Sequence, residues 1–381
     1  MHPFITDIKS DKTFFFYRGG VALYALLKSM QVAQNDQVIL PSFTCPAVPY
    51  PIMRLGAKPV YVDIDPITFN IDPGKIEAKI TRQTKAIIVQ HTFGVPAEMM
   101  PILDVARRHN LWVIEDSCHA FGSRYRGQQV STFGDAAIYS FGWYKPVVLG
   151  VGGSAVVNNP RLKAKMEEIY EHFTEPSLKE LLALYPQYLV YSLLVKPARF
   201  WFMKEVYRRL TILGVIAGSS RRKKTTNAQA KKITPDTKIT GKKIIPFQEK
   251  RLFSKLNRWD DAIARQKWIV SRYKELLGQI GYAPVELAAH LEPVYYKYPL
   301  LFERKKEIFE RARQARVEMS DMFGSPLYPP ARRANWKALA YKKGMCPIAE
   351  DVSARIVALP IHAKIQAKDI EKTIALLAYY V

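Results

Sequence analysis

Three polar residues in the first half of the chain follow apolar, strand-like runs. Asp116 ends the run "LWVIED" and Ser140 ends "DAAIYS", while Lys145 lies between Ser140 and a glycine-rich turn at 150–153. A lysine just past an apolar strand is desolvated, which favours its uncharged amine. Such an amine is a candidate Schiff-base nucleophile. An arbitrary lysine is far more often a snorkelling surface residue, so Lys145 needs support from its neighbours.

Asp116 and Ser140 give that support. Pyridoxal phosphate (PLP) needs a lysine for its aldehyde and an acid for its pyridinium nitrogen. Its phosphate needs hydroxyls and backbone N–H groups, which Ser140 and the glycine-rich turn offer. Alone, Asp116 could be a helix N-cap, and His119 alone is more often a packed core histidine. Together, the acid after one strand and the lysine after the next predict a PLP site.

The elements around these residues predict an α/β fold. Strand-like runs alternate with helix-like runs over residues 1–160, which is typical of βα units and a mostly parallel sheet covered on both faces. Ligands of such sheets lie outside the carboxyl ends of the strands. The strands predicted are "DQVILPS", "AKPVYVDID", "TKAIIVQHTFG", "LWVIEDS", "DAAIYSFG" and "GGSAVVNN"; the helices are "GGVALYALLKSM", "AVPYPIMRLG", "PGKIEAKIT" and "EMMPILDVARRHN".

Two domains are predicted. Residues 1–245 form a large cofactor-binding domain with an insertion at 173–243, and residues 246–381 form a smaller α+β domain that begins with one long amphipathic helix. Within the insertion, the charge-free run 181–195 has 15 residues and contains a proline, so it is too short and broken to cross a membrane. The stretch 219–243 has nine Lys/Arg against one Asp and is predicted to be an exposed loop.

Charge and cysteine content narrow the partners and the compartment. The net charge of +23 favours anionic partners. Nucleic acid is not expected, because the excess charge lies in one stretch with no binding module. Residues 181–243 predict either an element that binds an anionic membrane surface or a packed helical insertion with a solvated loop. The three cysteines lie far apart, which argues against disulfides and zinc. With no signal-peptide pattern, we expect a cytoplasmic protein, with the inner membrane face as the alternative location.

Long stretches of the chain, in order, resemble the DegT/StrS family of sugar aminotransferases, which have the aspartate-aminotransferase fold. The family pattern S-F-x-x-x-K followed by G-x-G-G is met at 140–145 and 150–153. The other stretches that carry the resemblance are "LPSFTCPAVPYPIMRLGAKPVYVDIDPITFNIDP", "TKAIIVQHTFGVPAEM", "VIEDSCHAFGSRYRG" and "CPIAEDVSARIVALPIHAKIQAKDIEKTI".

The resemblance implies roles for individual residues. It implies that Lys145 binds the PLP aldehyde and moves the proton during amino transfer. It implies that Asp116 pairs with the pyridine nitrogen and that Ser140 binds the phosphate. At Gly19 and Gly20 the family usually has Gly-Thr or Gly-Ser, so a hydroxyl is missing there, but helix-terminal N–H groups can still hold phosphate.

Four departures from the family pattern concern the cofactor and substrate. His119 replaces the usual Gln and could touch the ring hydroxyl or the ring face. Cys45 replaces the usual ring-stacking aromatic, and Phe43 or His91 is expected to stack instead. Val151 replaces the glutamate of the glycine-rich turn. The Asn-Tyr-Arg-like motif that reaches the partner subunit's phosphate is replaced by the basic stretch and "IIPFQEKRL".

The resemblance implies a PLP-dependent aminotransferase that moves an amino group from glutamate to a keto-sugar in surface polysaccharide or natural-product biosynthesis. The sugar is expected to be nucleotide-linked, or lipid-linked if the membrane interpretation holds. A homodimer is implied, since the family's active sites form between two subunits. The alternative is a regulatory family member that keeps the fold and binds PLP without sugar transamination.

Overall fold

In the computed structural model, residues 8, 10–143, 145–177, 180, 182, 184, 186–187, 197–212, 241–328 and 336–381 are described. The centre of the fold is a seven-stranded sheet in the order β1-β9-β8-β5-β4-β2-β3. Its strands are β1 (Thr13–Phe16), β2 (Gln37–Pro41), β3 (Lys58–Val62), β4 (Thr84–Gln90), β5 (Trp112–Asp116), β8 (Ala136–Ser140) and β9 (Gly153–Val157). Only β9 runs antiparallel to the other strands of this sheet. The mostly parallel α/β sheet predicted from the sequence is confirmed.

Both faces of the sheet are covered, as the alternation of side chains along β4 shows. Ala86 and Ile88 pack into one core cluster with the first helix, and Ile87 and Val89 pack into another on the opposite face. The helices of this half are α1 (Gly19–Ser29), α2 (Pro49–Arg54), α3 (Met99–Arg108) and α4 (Pro160–Glu171).

The second half of the chain builds an antiparallel pair of strands, β11 (Lys297–Leu301) and β12 (Ile356–Pro360). A separate buried cluster joins this pair to three of the helices around it. The helices of this half are α5 (Phe200–Ile212), α6 (Pro246–Leu256), α7 (Trp259–Gln279), α8 (Lys305–Gln314), α9 (Pro347–Arg355) and α10 (Ala367–Leu377). A small sheet of β6 (Arg124–Tyr125), β7 (Gln128–Gln129) and β10 (Leu291–Glu292) connects the halves. The domain boundary at 245/246 stays a prediction.

Two predicted helices differ from the structure. The single helix expected after residue 246 is two helices, because Arg258 leaves the helical region (φ −111, ψ 21). The break lets the buried Trp259 donate its indole N–H to the carbonyl of Phe121 at 3.2 Å. The segment "PGKIEAKIT" forms two short 3₁₀ turns at 73–75 and 77–79. It ends there because Ile80 is extended. Most of the predicted insertion, including residues 213–240, lies outside the described residues.

Asp63 connects the sheet to a helix that is distant in the sequence. Its carboxylate accepts the backbone N–H groups of Ile348 at 3.0 Å and Ala349 at 2.9 Å, at the start of α9. The first N–H groups of a helix have no partner within the helix, so this buried carboxylate takes the place of an N-cap. A negative charge also interacts favourably with the positive end of the helix dipole.

We expect Asp63→Ala to lower the free energy of unfolding by about 1 to 3 kcal/mol, since it leaves buried N–H donors unpaired. Asp63→Asn keeps one carbonyl acceptor and should lose less. Chemical denaturation monitored by circular dichroism measures both variants. Asp104→Ala, which removes an exposed carboxylate of α3, is the control and should change stability by less than about 0.5 kcal/mol. Equal effects of Asp63→Ala and the control would contradict the capping role.

Candidate active site

The carboxyl ends of β5 and β8 bring the predicted polar residues to one edge of the sheet. In the parallel pair, Asp116 lies opposite Ile138, so Ser140 extends two residues beyond it. Lys145 follows in the loop after β8. Asp116 and Ser140 therefore lie at the ends of neighbouring strands, and Lys145 lies in the loop that follows. Parallel sheets bind ligands at this end of their strands.

The N-terminus of α1 abuts the end of β8. A Cβ atom on Gly19 would lie 3.0 Å from Ser140 Cβ, and a Cβ atom on Gly153 would lie 2.3 Å from Gly19 N. These positions accept only glycine or force the backbone to shift. The side chain of Arg18, the N-cap residue, makes no capping hydrogen bond to the helix. The first turn of this helix, in which Val21 N–H donates to the carbonyl of Arg18 at 3.0 Å, lies beside Ser140, and the backbone N–H groups at such a helix end fit a phosphate group.

Asp116 is a buried carboxylate, with 6% of its surface exposed. One of its oxygens accepts the N–H of Cys118 at 3.1 Å. Burial raises the pKa of the Cys45 thiol, which also feels the charges of Lys145 and Asp116. Burial raises the pKa of Cys118 well above its usual value, and the charge of Asp116 adds to the effect. Both thiols therefore stay protonated beside an acid and a lysine.

His119 is the side chain that contacts Lys145. Its Nε2 lies 3.0 Å from Lys145 Nζ, and its ring stacks on Tyr296 at 5.0 Å between centroids. Burial, followed by the charge on Lys145, holds the pKa of His119 well below its usual value. The imidazole is therefore neutral. Among the described residues its buried Nδ1 has no hydrogen-bond partner, so the site contains an unsatisfied polar atom.

The glycine-rich turn shapes the loop that carries Lys145. Gly150 (φ +87) and Gly152 (φ +129) adopt backbone conformations that side chains disfavour. A Cβ atom on Gly150 would also lie 2.8 Å from the ring of Trp143. Across the loop, Phe141 N–H donates to the carbonyl of Gly152 at 2.9 Å. The glycines thus hold both ends of the lysine loop close together.

The two side chains predicted to stack on the cofactor ring, Phe43 and His91, are both packed inside the protein. Phe43 is fully buried and packs against Phe323, with ring centroids 4.6 Å apart. His91 is also fully buried; it contacts Glu115 through Nε2 at 3.0 Å and accepts the N–H of Ala97 through Nδ1 at 3.0 Å. Neither ring faces open space, so the structure gives their expected stacking role no support, and that role stays a prediction.

Two residues of the site were not predicted from the sequence. Gln248 donates to the carbonyls of Leu149 at 3.1 Å and Val151 at 3.2 Å, and so fastens the glycine-rich turn. Tyr296 supplies the ring under His119. Gln248 lies inside "IIPFQEKRL", the segment that departs from the family pattern. This departure was the feature of the sequence that could have indicated a different contact here. Among the described residues, no cluster of acidic, histidine or cysteine side chains could hold a metal ion.

Two named proteins are similar in sequence to this chain, one over less than half of its length and one over most of it. A GDP-perosamine synthase of Caulobacter vibrioides is 44% identical over 159 residues, which are 42% of this chain and 43% of that protein. The match thus spans less than half of that relative. A UDP-2-acetamido-2-deoxy-3-oxo-D-glucuronate aminotransferase of Pseudomonas aeruginosa is 25% identical over 354 residues, 93% of this chain and 82% of that protein.

The fold is similar to that of a solved structure, the putative sugar aminotransferase Spr1654 from Streptococcus pneumoniae in its PMP-form. The TM-score is 0.74 with 21% sequence identity, over 99% of this chain and 89% of that one. The model of the DegT/DnrJ/EryC1/StrS aminotransferase family matches residues 14–181 and 227–378. The resemblance predicted from the sequence is thereby confirmed: the chain belongs to the DegT/DnrJ/EryC1/StrS aminotransferase family.

Proposed function

We propose that the protein is a PLP-dependent aminotransferase that moves an amino group from glutamate to a nucleotide-linked keto-sugar. The observation that carries the proposal is the arrangement at one sheet edge of a buried acid, a lysine and a glycine-lined helix N-terminus. The names of two relatives support the substrate class, since one is a GDP-perosamine synthase and the other acts on a UDP-linked 3-oxo sugar.

The residues of the site fit the cofactor. The helix N-terminus at Gly19 and Gly20 and the Ser140 hydroxyl would hold the phosphate. Asp116 would keep the pyridine nitrogen protonated, and Lys145 would bind the aldehyde. When bound, the cofactor supplies an electron sink for the carbon that gains or loses the amino group.

The protein's own part in the reaction is to position groups and move a proton. Lys145 Nζ, once free, would take the proton from the substrate carbon and deliver it to the cofactor carbon that would carry the amino group. His119 Nε2 lies 3.0 Å from this amine. The buried carboxylate of Asp116 would pair with the ring nitrogen of the cofactor, where its charge is only weakly screened. A homodimer is part of the proposal, as in the family.

We expect purified protein mixed with PLP to show a visible absorption band, and Lys145→Ala to abolish both the band and amino transfer. Asp116→Asn should still fold but lower turnover on the order of a hundredfold, since it removes the charge that would keep the pyridine nitrogen protonated. Lys165→Ala, which removes an exposed lysine of α4, is the matched control and should leave turnover unchanged.

Wild-type protein that binds no PLP would contradict the proposal. The regulatory alternative makes a different prediction: PLP binds, but no amino group passes from glutamate to any keto-sugar nucleotide in a substrate panel. Spectral conversion of the bound cofactor by glutamate alone, followed by recovery on adding the keto-sugar, would separate the two halves of the reaction. Recovery would exclude the regulatory alternative.

We also propose that residues 181–243 bind the surface of an anionic membrane. Two large apolar side chains of this segment are exposed, Leu182 (61%) and Phe202 (67%). In the sequence, nine basic residues against one acidic residue follow them at 219–243. Apolar anchors next to a basic stretch favour anionic headgroups. Of the described helices, none is long and apolar enough to cross a membrane.

Cosedimentation of the full chain with phosphatidylcholine vesicles, with and without phosphatidylglycerol, tests this proposal. We expect binding only to the anionic vesicles, and weaker binding at high salt. Phe202→Ser should weaken binding about tenfold, since it removes an exposed aromatic side chain that the membrane would bury. Ile67→Ser removes an exposed apolar residue (47%) of the first half and is the control. Equal binding to neutral and anionic vesicles would contradict the proposal.

A further inference from the structure

The family resemblance assigns no role to the contact between Lys145 and His119. Lys145 Nζ lies 3.0 Å from His119 Nε2, and among the described residues this is its hydrogen-bond partner. The imidazole cannot turn away easily, because Tyr296 stacks on it at an interplanar angle of 20°. The ring of Phe323 packs edge-on against the ring of His119, with ring centroids 6.0 Å apart.

The protonation states fix which atom donates. An ammonium group has three donors and no acceptor, so in the Lys145 ammonium form His119 Nε2 must accept. The buried ring is neutral, and a neutral ring that accepts at Nε2 carries its proton on Nδ1. Two other titratable groups, Cys45 and Cys118, interact with the charge of Lys145, and Asp116 acts on both thiols. The thiols stay protonated and Asp116 is bonded to the backbone, so His119 is the direct acceptor.

We propose that His119 is a positioning residue, the acceptor that holds the Lys145 amine whenever the lysine is not bound to the cofactor. The inference rests on the proposed function, because it concerns the same lysine. When Lys145 takes a proton from the substrate carbon, its ammonium donates to Nε2. When the ammonium gives this proton up to the cofactor carbon that would carry the amino group, the amine stays at the same place. No bond forms to His119 and no proton remains on it, so the ring acts only by orienting the amine.

The pH dependence of cofactor capture tests this role without measuring turnover. Protein stripped of cofactor is mixed with PLP across a pH series, and the rate at which the visible band grows is recorded. His119→Phe keeps a ring against Tyr296 but has no acceptor, so the ammonium is less stable and the amine forms at lower pH. We expect the midpoint of capture to fall by about one pH unit, with a lower maximal rate.

His119→Gln is the matched variant, because its amide oxygen can still accept from the ammonium. We expect its midpoint to stay close to that of the wild type. An unchanged or higher midpoint in His119→Phe would overturn the inference, and a higher one would show that His119 donates to the amine. Wild-type protein that captures no PLP would instead contradict the proposed function, so the two failures are distinguishable.

A measurement on the wild-type protein covers the case in which the Phe variant does not fold. Long-range ¹H–¹⁵N spectra of protein labelled at histidine, without cofactor, report which ring nitrogen carries the proton. We expect His119 to carry it on Nδ1 in the range where Lys145 is an ammonium. A neutral ring with the proton on Nε2 would overturn the inference.

Discussion

The site depends on a buried carboxylate that takes no part in the chemistry. Glu115 is fully buried and accepts the backbone N–H groups of Ser131, Phe133 and Gly134 at 2.7 to 2.8 Å. It thereby fixes the loop that leads into β8. Leaving such a charge without its partners costs about 3 to 5 kcal/mol, so the loop and the carboxylate stabilise each other. Successive strand residues point to opposite faces, so Glu115 anchors the sheet while Asp116 faces the site.

A second constraint is the close approach of the backbone at the phosphate cradle. Because a Cβ atom on Gly153 would lie 2.3 Å from Gly19 N, the helix N-terminus can reach the sheet edge only if this position is glycine. The approach places the N–H groups of α1 beside Ser140 without a capping side chain. The loss of the family's hydroxyl at Gly20 therefore leaves the backbone part of the proposed cradle intact, so a bound phosphate would rely more on the helix N-terminus.

What could be predicted from the sequence was local. Asp116, Ser140 and Lys145 were found because each follows a short apolar run, and the period of such runs reveals strand ends. Gln248 was not found, because its partner Val151 lies 97 residues away and no local pattern reports that contact. Tyr296 was missed for the same reason. The break near Arg258 was missed because amphipathic spacing continues through it, and the buried indole of Trp259 decides the geometry.

The exposed helix α5 is joined to the site by a short series of contacts. Trp201 donates its indole N–H to the carbonyl of Val317 at 2.6 Å, and Lys204 pairs with Asp321 at 3.1 Å. Two residues further, Phe323 packs against the ring of His119. The helix that exposes Phe202 is therefore fastened to the loop that holds the partner of Lys145. These contacts join α5 to the segment that packs against the ring beside Lys145.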